Sequence, residues 1–201
     1  MIPSQGSVGA SGDLAPTAHM ALALIGEGVV DVVNAESGAT ERIAAKDALA
    51  RHGMRPLELK SKEGLSLING THVMTGIGAL CLWDAEVIWK SAIVAAGMSV
   101  EALFWSVKTL DPRSHQGLSH PGQVRAADAM AMSVAESAIV QSQAPCDRVQ
   151  DAYSMRCAQQ VLGPPAEASA NAQRTVEIEM NSATDNTRVF AETGEVRSNG
   201  N

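Results

Sequence analysis

Apolar residues in this chain recur mostly three or four positions apart, the spacing of one helix face, and only briefly at every second position. The longest such pattern covers residues 62–108. Leu65, Ile68, Ile77 and Leu80 fall at helical spacing there, and no proline intervenes. It predicts one kinked helix or two helices in line, ended by Asp111-Pro112. Gly70, Gly76 and Gly78 lie inside it. Each glycine weakens a helix by up to ~1 kcal/mol relative to alanine, which makes sense where other helices pack tightly against that stretch. Upstream, residues 17–25 predict a short helix, with Gly26 and Gly28 beyond its end. Val29-Val30-Asp31-Val32-Val33 followed by Glu36-Ser37-Gly38 predicts a small hairpin. Thr40 is placed to cap a helix over 41–52 that stops at Gly53. Downstream, helices are expected over 122–140, 151–162 and 166–180, the last two split by Gly163-Pro164-Pro165. Residues 1–16 read as loop. The tail beyond Met180 is turn-rich, with a hairpin around Glu192-Thr193-Gly194-Glu195. The pattern holds no internal repeat, and the fold class is mainly α.

Composition sharpens this picture. Of 201 residues, 45% are hydrophobic but only 3% are aromatic, so the core must be built from Ala, Val, Leu, Ile and nine Met. That mixture suits closely packed helices, and also a surface hidden in an oligomer. The net charge of −7, with no Lys/Arg cluster, argues against a nucleic-acid partner. The apolar stretch over 92–105 is broken by Ser99 and Glu101 and is too short to span a bilayer. Cys81, Cys146 and Cys157 form no CxxC pair. Disulfides and zinc are therefore not expected, and a reducing cytoplasm fits. No basic n-region precedes an apolar segment at the N-terminus, so no secretory signal is expected. No two histidines share ligand spacing with a carboxylate, which speaks against a metal centre. His19, His72 and His120 are read as structural.

One stretch does not fit a helical scaffold. Residues 6–14 read GSVGASGDL. A flexible surface loop is the ordinary reading of such a segment. It is not a phosphate cradle, because Asp13 stands where a Walker loop needs lysine, and the GxGxxG spacing is absent. It is not a serine-hydrolase elbow, because Gly9-Ala10-Ser11-Gly12 breaks GxSxG. A third chemistry uses all three central residues. If the Gly12 nitrogen attacks the Ala10 carbonyl, a five-membered ring closes. Loss of two waters, one carrying the Ser11 hydroxyl, leaves a methylidene on an imidazolone. Gly12 has no Cβ and can bend into the attack, Ala10 is small, and Ser11 supplies the leaving oxygen.

GSVGASGDLAPTAHMALALIGEG, residues 6–28, resembles the signature of the aromatic amino acid ammonia-lyases. Three further motifs follow in the family's order. Leu67-Ile68-Asn69-Gly70-Thr71 resembles its asparagine motif, Val149-Gln150-Asp151-Ala152-Tyr153-Ser154-Met155-Arg156-Cys157 its VQDxYSLRC motif, and Thr184-Asp185-Asn186 its (S/T)DNP motif. The likeness covers nearly the whole chain. It implies a long-helix bundle core with small β-hairpins, cut at both ends. Residues 1–201 would form a central portion of a lyase, with the prosthetic-group loop over 6–16 and the helical core over 62–181.

The resemblance also implies roles. Ala10, Ser11 and Gly12 would form 4-methylidene-imidazole-5-one, and Asp13 would assist the cyclisation. An acid at a helix start is the plain alternative for Asp13. Tyr153, the chain's only tyrosine, would stand beside the electrophile. Asn69 would face the prosthetic group and the amino or carboxylate end of the substrate. Arg156, one helical turn from Tyr153, would hold the substrate carboxylate. Gln150 would form a polar pocket wall, and Asn186 would brace the loop. The implied reaction removes ammonia from an α-amino acid, with histidine giving urocanate. Phenylalanine or tyrosine as substrate, an aminomutase, and a non-catalytic truncated relative are the alternatives. A homotetramer, or complementation by further chain segments, is the implied assembly. Family members run on at both ends, so the chain by itself is expected to be inactive. Thr187, where the family usually has proline, and Gln159-Gln160, where Pro-Gln is common, are the smaller departures.

Overall fold

The computed structural model describes residues 2–3, 5–6, 11–118, 120–143 and 147–198. The chain falls into two compact units. One comprises Met1–Ile77 with Ile178–Asn201, the other Gly78–Glu177.

The first unit begins with helix α1, Leu14–Leu24, which starts three residues earlier than the spacing predicts. Strands β1, Val29–Val33, and β2, Thr40–Ala44, pair antiparallel with Val29 opposite Ala44 and Val33 opposite Thr40. The Asn34 carboxamide oxygen accepts from the Glu36 and Ser37 N–H groups at 2.9 Å and shapes the turn between them. This corrects the expectation for Thr40. It opens a strand rather than capping a helix, because the valine-rich β1 needs a partner, and the residues after the turn supply it. Helix α2 is correspondingly short, Ala45–Arg51.

Helix α3, Glu63–Ile68, is followed by a break at Asn69, whose backbone is extended, and Gly70, at φ +130°. Helix α4 then runs from His72 to Ala102. Of the two expected forms, one kinked helix or two helices, the chain forms two; the interruption falls on the asparagine motif, and α4 ends before the expected stop. At the other end of the chain, β3, Arg188–Phe190, and β4, Glu195–Arg197, form the expected terminal hairpin.

The second unit holds the main hydrophobic cluster: Trp89, Ile93, Val100, Leu110, Ala126, Met130, Ala158 and Ala166. Helix α5 covers Pro121–Ser133 and stops short of the expected end. Ser137 instead caps a separate short helix α6, Ala138–Ser142, by accepting from the Val140 N–H at 3.2 Å. Helix α7 is Tyr153–Arg156, and α8 is Ala158–Met180. α4 and α8 each continue from one unit into the other.

α8 corrects a second expectation, because it does not break at Gly163-Pro164-Pro165. The two prolines remove N–H donors from one turn, but the turn is gripped from outside. Trp89 Nε1 donates to the Leu162 carbonyl at 2.8 Å. Gly163 packs so closely on α5 that an added Cβ would lie 2.7 Å from the Gln123 nitrogen. Gly122 is equally tight, its own added Cβ falling 2.2 Å from the Gly163 carbonyl oxygen. Paired glycines let the helices touch backbone to backbone, and that contact outweighs the local preference to end the helix.

Candidate active site

Of the predicted ring-forming residues, Ser11 and Gly12 are described, whereas Ala10 lies outside the described residues. Gly12 sits at φ +86°, in the left-handed region that favours glycine. It forms an isolated parallel bridge with Gly70, in which the Gly70 N–H donates to the Ser11 carbonyl oxygen at 3.2 Å. A Cβ on Gly12 would lie 1.8 Å from the Gly70 carbonyl oxygen. No side chain fits there. Gly70 is constrained in turn, since a Cβ on it would lie 2.6 Å from Thr184 Oγ1. Ser11-Gly12 and Gly70, far apart in sequence, are therefore pressed backbone to backbone.

Asp13 is buried and occupies the position just before α1, yet its side chain makes no capping hydrogen bond. Its position is that of an acid at a helix start, held without a side-chain hydrogen bond to the first turn. Thr17, also buried, places its hydroxyl 2.9 Å from both the Asp13 and the Ile68 carbonyl oxygens, so it can tie the start of α1 to the end of α3.

Asn69 is buried. Its Nδ2 donates to Asp185 Oδ1 at 3.0 Å and to the Asn186 carbonyl at 3.3 Å. The other Asp185 oxygen accepts from Ser66 Oγ at 2.8 Å and pairs with the Lys62 ammonium. Burial raises the Asp185 pKa, but the hydrogen bonds from Lys62, Asn69 and Ser66, with the Lys62 charge, outweigh it and lower the pKa to about 2. Two further bonds tie the same segments together. The Thr71 N–H donates to Thr184 Oγ1 at 3.3 Å, and Thr71 Oγ1 donates to Glu179 at 2.6 Å. Asn186 contributes its backbone carbonyl to Asn69, and its side-chain oxygen accepts from Ser198 at 3.4 Å.

Tyr153, Gln150 and Arg156 belong to the second unit. The Arg156 guanidinium stacks 5.0 Å from the Tyr153 ring centroid, as the spacing on one helical turn predicts. Tyr153 is 70% exposed. Gln150 precedes α7, which starts only at Tyr153. It lines a cavity of about 470 Å³ with Trp105, Val107, Val140, Asp151 and Arg156. Asp151 accepts from the Ser106 N–H at 2.7 Å and fixes this loop. Gln159, 1% exposed, donates to the carbonyls of Arg156 at 3.0 Å and Thr109 at 3.2 Å and holds the end of α7. The Nε of Arg156 is buried and has no hydrogen-bond partner among the described residues.

Sequence reasoning missed Lys62, Ser66, Asp185 and Gln159 as supports. The first two carried a signal in their helical spacing to Asn69, and Asp185 in its place beside Asn186. Among the described residues, no group of three or more His, Cys, Asp and Glu is placed to hold a metal, and no helix is long and apolar enough to cross a membrane.

The family model for aromatic amino acid lyases matches residues 1–201. Histidine ammonia-lyase of Gloeobacter violaceus is 46% identical over 200 residues, covering 100% of this chain and 38% of that protein. Histidine ammonia-lyase of Sorangium cellulosum is 48% identical over 189 residues, covering 94% of the chain and 36% of the relative. Among solved structures, phenylalanine aminomutase of Pantoea agglomerans is similar with a TM-score of 0.83 at 32% identity, over 99% of this chain and 40% of that one. Histidine ammonia-lyase of Trypanosoma cruzi gives 0.79 at 36% identity, over 99% and 35%. The chain thus spans well under half the length of the relatives it matches. With long helices, only small two-stranded sheets and a family match over its whole length, the chain belongs to the aromatic amino acid lyases.

Proposed function

We propose that this chain carries the prosthetic-group loop and part of the substrate pocket of an ammonia-lyase that converts L-histidine to urocanate and ammonia, a carbon–nitrogen lyase reaction. The observation that carries the reading is the contact of Gly12 with Gly70. The ring closure needs a glycine nitrogen free to approach the Ala10 carbonyl, and the backbone here leaves Gly12 no room for any side chain.

The residues present fit 4-methylidene-imidazole-5-one formed from Ala10, Ser11 and Gly12. That group supplies an electrophile that no ordinary side chain provides. The Ser11 carbonyl becomes part of the ring, and the Gly70 N–H that donates to it withdraws electron density from it. Asp13, buried beside Gly12, is the group closest in sequence to assist the proton transfers of cyclisation. Asn69, in the first unit, is assigned to a substrate's polar end; in the second unit Arg156 is assigned to a carboxylate through paired N–H donors, with Gln150 and Tyr153 as polar wall. Asn186 braces Asn69 from behind. Histidine is preferred as substrate because the relatives at 46% and 48% identity are histidine ammonia-lyases. The structural likeness to an aminomutase keeps return of the amine to the β-carbon as the second reading. A homotetramer, or further chain segments, would complete the pocket. The chain covers 38% of the Gloeobacter relative, so no ammonia release from histidine is expected from these 201 residues alone.

The test is the accurate mass of the Ser11 peptide from natively purified protein, beside Ser11→Ala. Loss of two waters in the wild type only is the expected result. Equal, unprocessed masses in both would remove the ring-forming reading for this chain.

A further inference from the structure

We propose that Lys62 and Asp185 are positioning residues that lock the orientation of the Asn69 amide, so that its NH2 points at Asp185 and its carbonyl oxygen is the atom left to meet a ligand. This inference rests on the reading above that Asn69 faces the substrate.

A carboxamide has nearly the same shape after a half-turn, and only its partners choose which end points where. Here both partners are acceptors. Asp185 Oδ1 lies 3.0 Å and the Asn186 carbonyl 3.3 Å from Nδ2. A half-turn would set Oδ1 against a carboxylate and a carbonyl, losing two hydrogen bonds and gaining two repulsions. Oδ1 itself makes no hydrogen bond among the described residues, which leaves it as an acceptor for whatever enters.

The lock depends on Asp185 being ionised, because a protonated acid could donate to Oδ1 and accept the flipped amide. Lys62 secures the charge. It stands just before α3 at φ +70°, a strained setting for a residue with a side chain. Lys62, Ser66 and Asn69 follow at helical spacing and all three reach Asp185. Lys62 is the charged group against Asp185, whereas Ser66 and Asn69 are neutral. An amide that offers a carbonyl accepts from an ammonium or amine and repels a carboxylate. The arrangement thus assigns Asn69 to the nitrogen end of an amino acid, opposite in preference to a guanidinium.

The side-chain NH2 resonances of Asn69, in protein with labelled asparagine, read this directly. In the wild type, a carboxylate-bonded NH2 with widely split protons is expected, unchanged from pH 7 down to pH 4. In Lys62→Met the same resonances should titrate with the Asp185 carboxyl in the ordinary carboxylate range, and Lys62→Arg should restore the wild-type pattern. Asp185→Asn, close in shape, should collapse the splitting even if Lys62→Met proves unstable. Asn69 resonances that are the same in wild type, Lys62→Met and Asp185→Asn would overturn the proposal. The peptide mass scores ring formation separately, so failure of one idea leaves the other measurable.

Discussion

At the scale of single residues, the site is decided by what glycine lacks. Gly12 combines a left-handed backbone with a contact that a Cβ would violate at 1.8 Å. Gly12→Ala is expected to lose about 1–3 kcal/mol from backbone strain alone, visible in a denaturant titration, and to abolish the two-water mass loss. Ser11 is exposed. Ser11→Ala should therefore leave the unfolding midpoint within about 0.5 kcal/mol of wild type while also abolishing that loss. The sequence singled out Ser11, Gly12, Asn69, Tyr153 and Arg156 as candidates because each sits in a motif with its own chemistry. Lys62 was missed despite its helical spacing to Asn69, because a lysine at a helix start is ordinary until its partner is known, and that partner lies more than a hundred residues away.

At the scale of elements, local rules succeeded where no distant contact competed with them. β1, α4 and the terminal hairpin follow their patterns. They failed at Thr40, whose fate was set by a strand partner, and at Pro164-Pro165, where the packing of Gly122 on Gly163 carries α8 onward. Gly163→Ala forces a Cβ onto backbone atoms of α5 and should cost about 1–3 kcal/mol, measured as a lowered thermal midpoint. The tie between α3 and residues 184–186 has an acid signature. Asp185 titrates lower in the folded protein than its ordinary value of 3.8, so its stabilising contribution is whole above that value and is lost as the pH falls towards about 2. Thermal midpoints taken down a pH series should decline more in that interval for the wild type than for Lys62→Met.

At the scale of the whole molecule, the low aromatic and charged content finds its counterpart on the surface. Leu80, Trp83 and Ile88 on α4 are 69%, 70% and 68% exposed, and Met132 is 79% exposed. An open apolar face of this kind supports the assembly proposed above, in which other protein would cover it. Light scattering on the purified chain should give a mass that is a multiple of 21.0 kDa, and Trp83→Glu with Ile88→Lys should reduce it. Of these positions the helical spacing marked only Leu80, because spacing reports a face without saying what lies against it.

The bridge between Gly12 and Gly70 has a consequence in time. In the ring closure proposed above, two segments remote in the chain would have to meet before Gly12 takes up its bent backbone, so the ring would not arise on a nascent or misfolded polypeptide. Maturation would then act as a receipt for correct folding. In a mixed population the mass spectrum would count the molecules that reached the native state, and a cell making the protein would carry the electrophile only inside finished copies.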